Sequence, residues 1–397
     1  MREVINVRLR IASLVTLALY YLMGPGFAQT HPLLPAALAV ATKLDLTGNS
    51  VTIDSFDSSN TNLFPGGVYN STNALDLAQV LSLSRTNYSI MVGNSRIKGT
   101  VGLAPDGSVS LSPGGSVGDA NWVNGGQFGI QLGHVSYDAA FVTFPDATLP
   151  DTGDEVWQFA VPGAYVINGV TYKYLLSSSR PWKISNLDGG VYVNGPRVKL
   201  WVLSAINLPN FGGIRIPAMT DSLGQAYSLE MYVTAGGANL GGSGVINETG
   251  VARDFQYFGL PSNTSLTIPA NGPFVGVIYA PAADFTLGGG SNNTNDFIGC
   301  SVTKSVKMNG HFNFHLDESL GYAVYNSPAP VLRAFGFSAG NQFQFTVTGL
   351  AGFTYAVEAS LSLTDWVSLV TNTSPFTFVD GDSTNFPQRF YRANYLP

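Results

Sequence analysis

The chain has 397 residues, enough for two domains and a sizeable core, but only 11% of them are charged and the net charge is −6. Aromatic residues, at 12%, are too frequent for a disordered chain, and an acidic chain without a basic cluster is a poor partner for nucleic acid, whose phosphates need Lys and Arg. A single cysteine, Cys300, excludes an intrachain disulfide, and 45 glycines suit short strands joined by tight turns.

At the N-terminus Arg2, Arg8 and Arg10 precede an apolar run from Ile11 to Met23, followed by Gly24-Pro25 and Gly26-Phe27-Ala28. A basic start, a short apolar stretch and a small-x-small site predict a signal peptide over 1–28, with the remainder exported. The run is short for a bilayer-spanning helix, so no membrane span is expected after cleavage. Residues 1–28 carry a net +2, which leaves −8 on the rest of the chain.

From about residue 36 to 325 one pattern returns: apolar-x-apolar, then a turn on Gly or Asn. Leu44-Asp45-Leu46 with Thr47-Gly48-Asn49 is one copy, Ile90-Met91-Val92 with Gly93-Asn94 another, and Val306-Lys307-Met308 with Asn309-Gly310 a third. Alternation of period two marks half-buried strands, and strands this short must stack. Neighbouring copies about 20 residues apart suit the turns of a parallel β-helix, with a large β-sandwich as the rival reading. The spacing of Leu75, Leu77, Ala78 and Leu81 predicts one helix over Ala74–Leu83. Prolines punctuate residues 120–182, which read as an irregular excursion. Beyond a boundary at Asn326–Pro330, alternating runs from Phe343 to Arg392 predict a small antiparallel β-sandwich of immunoglobulin or fibronectin type over 331–397, with Trp366 in its core.

Two segments carry a resemblance. Leu44–Asn49 with Asp54-Ser55-Phe56-Asp57-Ser58, and later Gly276-Val277-Ile278-Tyr279-Ala280-Pro281 with Phe314-His315-Leu316-Asp317-Glu318, resemble the opening and closing signatures of a bacterial exported domain of unknown function. Phe56 and Leu316 stand where that family usually has tyrosines. The resemblance covers about residues 36–322. It implies a right-handed parallel β-helix, and a setting in large surface proteins or pilus-assembly-related chains, without an agreed activity.

Candidate chemistry concentrates in the same two motifs. In a strand, His311, Asn313, His315 and Asp317 share one face, so two imidazoles and a carboxylate converge as zinc ligands do; the bland reading is a terminal rung whose polar groups satisfy one another. Asp54 and Asp57 offer oxygen ligands for calcium, yet Ser, Asp and Asn also cap their own turns. The two motifs, with Asp54 and Asp57 at one end and His315, Asp317 and Glu318 at the other, are also candidates to meet as a structural lock. Asp146, Asp151, Asp154 and Glu155 are numerous enough for glycan hydrolysis but lack patterning, and Trp122, Trp157, Trp182 and Trp201 are candidates for stacking on sugar rings. No Gly-x-Ser-x-Gly, phosphate-loop or His-Glu-x-x-His motif occurs.

The combined expectation is an all-β protein, a right-handed parallel β-helix followed by a small antiparallel β-sandwich. It is expected to be exported to the cell surface, the extracellular space or the periplasm, to act as a non-catalytic structural or adhesive component, and to need no cofactor. Its expected partners are surface polysaccharide or other surface proteins. The alternatives are a carbohydrate-active protein, binding or cleaving polysaccharide, and an accessory pilus or secretion component.

Overall fold

The structure, a computed structural model, describes residues 5–8, 36–47, 51–137, 139, 142, 144–150, 155–208, 213–241, 244–269, 272–288, 294–308, 312–320, 330–338, 340–348, 354–363 and 365–396. The fold is all-β, with helix confined to short turns such as Ala120–Asn124. The chain divides into two compact units, His31–Val324 and a second made of Met1–Thr30 with Tyr325–Pro397.

In the larger unit the strands pair in parallel, apart from the hairpin Tyr165–Ile167 with Val170–Tyr172; most pairings close into one network, and Tyr174–Ser177, Val191–Asn194, Ile214–Ile216 and Val245–Asn247 form a separate four-stranded parallel sheet. Parallel neighbours cannot be joined by a tight hairpin; each must be reached by a crossover. Here the crossover is the rest of a turn of about 20 residues, which adds one strand to each of three ladders. One ladder runs through Tyr257, Ile278, Ser301, Leu38, Val80 and Val101 in neighbouring strands. A second runs through Leu266, Phe285, Val306, Leu44 and Ile90. The third runs through Phe274, Phe297, Phe314, Ile53, Ile97 and Val117. The alternation found in the sequence places these side chains, the buried Ser301 apart, in one continuous apolar core, where most are fully buried.

The spatial order of strands is not their chain order. Successive turns stack from Gln158–Phe159 up to Phe312–Asp317. The next strands in the stack are Leu38–Val40, Leu44–Asp45 and Thr52–Phe56, from the start of the unit. From there the stack continues to Val135–Ser136. The chain therefore starts in mid-stack, builds to one end at Val135–Ser136, and returns to begin again at the other end at Gln158–Phe159. Two fixtures of that return are visible: the Tyr279 hydroxyl donates to the Pro145 carbonyl (2.7 Å), and Trp157 meets Trp201 and Tyr232 edge-on.

The expected helix over Ala74–Leu83 is not formed. Ala78–Ser82 is a strand paired on one side with Leu38–Val40 and on the other with residues 99–103. Two ready-made ladder edges outweigh the weak helical preference of a short segment, and Leu77, meant for the buried helical face, is left exposed. Corners between ladders need a residue without a side chain. At Gly99 an added Cβ would lie 1.8 Å from the Ala78 carbonyl oxygen, and at Gly299 2.0 Å from that of Gly276. Gly99→Ala is expected to cost about 1–3 kcal/mol, as overpacking does, seen as a lower urea midpoint without loss of slope. An unchanged midpoint would show that the corner can open.

The smaller unit holds two antiparallel sheets. One orders Ile5–Arg8, Gln388–Leu396, Thr354–Ser360 and Val367–Thr373; the other orders Val331–Phe337, Phe343–Thr348 and Phe376–Val379. They share a core of Phe343, Phe345, Tyr355, Val357, Phe378 and Tyr391. Trp366 is not in it. Its ring is only partly buried, lies under the Arg392 guanidinium (4.2 Å to the ring centre), and donates through its indole nitrogen to the Leu363 carbonyl. Phenylalanines fill the centre that a tryptophan was expected to fill. No helix among the described residues is long and apolar enough to cross a membrane, and the apolar run Ile11–Met23 lies outside them.

Candidate functional site

Most of the titratable side chains singled out in the sequence meet at the seam where the larger unit's last strand in chain order, Phe312–Asp317, lies on the early strand Thr52–Phe56. In register, His315 faces Asp54 and Asp317 faces Phe56. His315 Nδ1 lies 2.6 Å from Asp54 Oδ1 and its Nε2 lies 3.2 Å from Asp296 Oδ1. The Tyr69 ring stacks on the imidazole at 3.6 Å, and its hydroxyl donates to Asp54 Oδ2 (3.1 Å). Lys98 Nζ stands 3.7 Å from the same oxygen. Asp54 and His315 are almost fully buried, while Asp296 is 44% exposed.

A charge taken out of water must be matched, and here the matching fixes the protonation states. Burial alone would lower the His315 pKa; hydrogen bonds to Asp296 and Asp54 outweigh it and raise the imidazole above its ordinary value. The same bond to His315 holds Asp296 below the usual carboxylate range. Burial, then the Asp54 charge, pushes the Tyr69 phenol well above its ordinary value, so it remains a donor. The cluster thus holds the His315 imidazole between two carboxyl groups, an arrangement that favours its protonated form.

One strand step further on, Asp317 accepts from the Ser58 backbone N–H (3.1 Å), the Ser58 hydroxyl (2.7 Å) and the Ser319 N–H (3.1 Å). Glu318 accepts from the Ser55 hydroxyl (2.6 Å). Burial raises the Glu318 pKa, the Ser55 bond opposes this, and the negative charges of Asp57, Asp317 and Asp76 reinforce it. Both motifs are therefore present at one joint, bound across some 260 residues of chain. Asp57 stands apart: it accepts from the N–H and hydroxyl of Ser59 and caps its own turn. His311 lies outside the described residues.

Residues 209–322 match a domain of unknown function, DUF7305. The match takes in the closing motif and leaves the opening motif outside it. Comparison with curated proteins and with solved structures gives no match.

Chemically, the arrangement holds together more than it reaches out. Both ring nitrogens of His315 are engaged, which leaves neither to take a proton from a bound molecule. Among the described residues no group of three or more His, Cys, Asp or Glu is placed to hold a metal ion. An open pocket adjoins the cluster, lined by Tyr69, Asn70, Ser71, Asp296, Asn313 and His315. The other candidates are dispersed: Asp146 and Glu155 are exposed, Asp151 and Asp154 lie outside the described residues, and Trp182 donates to the Ser177 carbonyl. Cys300 is buried and free. Sequence reasoning missed Asp296, Tyr69 and Lys98. Asp296 lies 19 residues from His315, Lys98 lies 44 from Asp54, and Tyr69 lies 15 from Asp54 and 246 from His315, so no local pattern links them.

The raised His315 pKa sets a pH dependence. Its contribution is complete below the unfolded imidazole value of about 6.5 and is lost as pH rises through the higher folded value. Asp296 has the opposite sign and withdraws its contribution only as pH falls below the usual carboxylate range. The melting temperature should therefore decline on the alkaline side of about pH 6.5, and His315→Gln should flatten that limb. Equal slopes in the two proteins would show that another group titrates.

Proposed function

We propose that this chain is an exported, non-catalytic structural or adhesive component of a bacterial surface, built as a right-handed parallel β-helix followed by a small antiparallel β-sandwich. The observation that carries this reading is the seam. The cluster around the buried Asp54 and His315 joins the unit's first turn in chain order to its last. Side chains engaged in this way serve persistence of shape, which a surface element needs. The three parallel ladders and the shared core of the two antiparallel sheets support the architectural part of the reading.

The test is placement and chemistry together. In the source bacterium an epitope in an exposed loop of the larger unit should be labelled on intact cells, and the chain should lack its first 28 residues. The purified chain, incubated with a panel of polysaccharides, should release no soluble fragments. Retention on a glycan without cleavage would specify adhesion. Released fragments, or an unprocessed chain confined to the cytoplasm, would sink the proposal.

A further inference from the structure

We propose that the cleft beside the seam binds a neutral saccharide, holding adjacent hydroxyl groups with Asp296, Asn313 and Asn70. Such a site is the adhesive form of the function proposed above, and its assignment rests on that reading. The seam joins two half-stacks, residues 36–136 and 158–317. On its outer face Asp296 and Asn313 are register neighbours, next to the inward-facing Phe297 and Phe314. Between this pair and the loop of residues 69–71 lies an open cleft of about 510 Å³, lined also by His315. The volume falls within the usual range for small-molecule sites.

Each of these three polar groups has one end fixed by the protein and the other unspent. Asp296 Oδ1 accepts from Asn313 Nδ2 (3.3 Å) and lies 3.2 Å from His315 Nε2, while Oδ2 has no partner among the described residues. The Thr52 N–H donates to Asn313 Oδ1 (2.9 Å), which fixes that amide and leaves the second Nδ2 hydrogen for a ligand. The Thr72 N–H likewise fixes Asn70 Oδ1 (2.9 Å), and Asn70 Nδ2 has no partner among the described residues. Orientation set in advance lowers the cost of binding. Charge argues against an ion. Asp54 and Asp296 are matched by His315 and Lys98, and among the described residues no group is placed to hold a metal, so a cation finds one open carboxylate oxygen and no surplus charge. An anion meets Asp296, whose bond to His315 holds it ionised. An apolar ligand finds little beyond the Tyr69 ring, because the other groups lining the cleft are polar. Adjacent hydroxyls fit. One donates to Asp296 Oδ2 in a charge-assisted bond, its neighbour accepts from Asn313 Nδ2, and a third oxygen accepts from Asn70 Nδ2.

Calorimetric titration of the full chain with mannohexaose, cellohexaose, xylohexaose, maltohexaose and hexagalacturonate tests the site. At least one neutral probe should bind saturably, with a Kd of about 1 mM or tighter, and hexagalacturonate more weakly. Asp296→Asn removes the ionised acceptor and should weaken that binding about tenfold or more, as loss of a charge-assisted hydrogen bond does. Asn70→Asp keeps the oxygen that accepts from Thr72 and removes the donor. In this exposed loop it should weaken binding to a similar extent with the melting temperature unchanged, so it decides the matter even if Asp296→Asn is unstable. Binding that neither variant weakens would place the saccharide elsewhere and overturn this site, with adhesion still standing. Binding of no neutral probe, or tightest binding of hexagalacturonate, would overturn it too. Surface labelling of intact cells would then support a purely structural component. Shortened oligosaccharides recovered after the titration would overturn the non-catalytic reading and this site with it.

Discussion

Asp54→Ala is expected to destabilise the larger unit by about 3–5 kcal/mol, the cost of removing one partner from a buried ion pair. For a unit of this size that is a fall in melting temperature of about 5–8 °C. The reasoning is asymmetric. Asp54 is itself desolvated, so the pair gains little over a well-packed apolar substitute; its loss strands what it served. The His315 imidazolium would remain nearly inaccessible with one carboxylate in place of two, the Tyr69 hydroxyl would lose its acceptor, and Lys98 its counter-charge. Asp54→Ala combined with His315→Leu should therefore be less damaging than the sum of the two single changes. A simple sum would mean that the two residues act independently and that the clamp contributes nothing as a unit.

How much of this was legible in the sequence depends on the range of the contact. Alternation along Ile90–Val92 or Val306–Met308 announces a strand because it depends only on the period of the pleat, and the structure has strands at both places. The opening and closing motifs were visible as clusters of Asp, Ser, His and Glu. Asp296 and Tyr69 were not, since nothing near either one signals a partner. Asp296 reaches His315 through the length of one turn, and Tyr69 reaches it through a loop that folds back over the seam. The order of the stack was further out of reach: local patterns are unaffected by whether a turn's neighbour in space is its neighbour in sequence. Ala74–Leu83 failed for a related reason. Its apolar spacing is compatible with a helix, and the ladder edges that claim it belong to residues 38–40 and 99–103. Trp366 shows the limit of reading size as burial, because Phe343, Phe345 and Tyr391 already fill that core.

Phe297→Ala carries the second large effect, expected at about 3–5 kcal/mol and read from the urea midpoint. Phe297 is fully buried and stacks on Phe274 at 4.8 Å, with Phe314 at 5.2 Å on its other side and Phe285 edge-on at 6.3 Å. Cutting it to a methyl opens a cavity among three rings held by ladder hydrogen bonds, which cannot collapse to fill it. Phe128→Ala, at a site 57% exposed, is the matched control and should change stability by no more than about 0.5 kcal/mol. Phe314 belongs to the same strand as His315, and across the seam it faces Ile53, next to Asp54. Aromatic packing on one side of Phe312–Asp317 and the charged clamp on the other therefore position a single strand. Asp54→Ala and Phe297→Ala in one chain should show a coupling of about 0.5 kcal/mol or more. Strict additivity would mean that core and clamp hold that strand separately, and that the joint between the half-stacks can loosen without disturbing the core behind it.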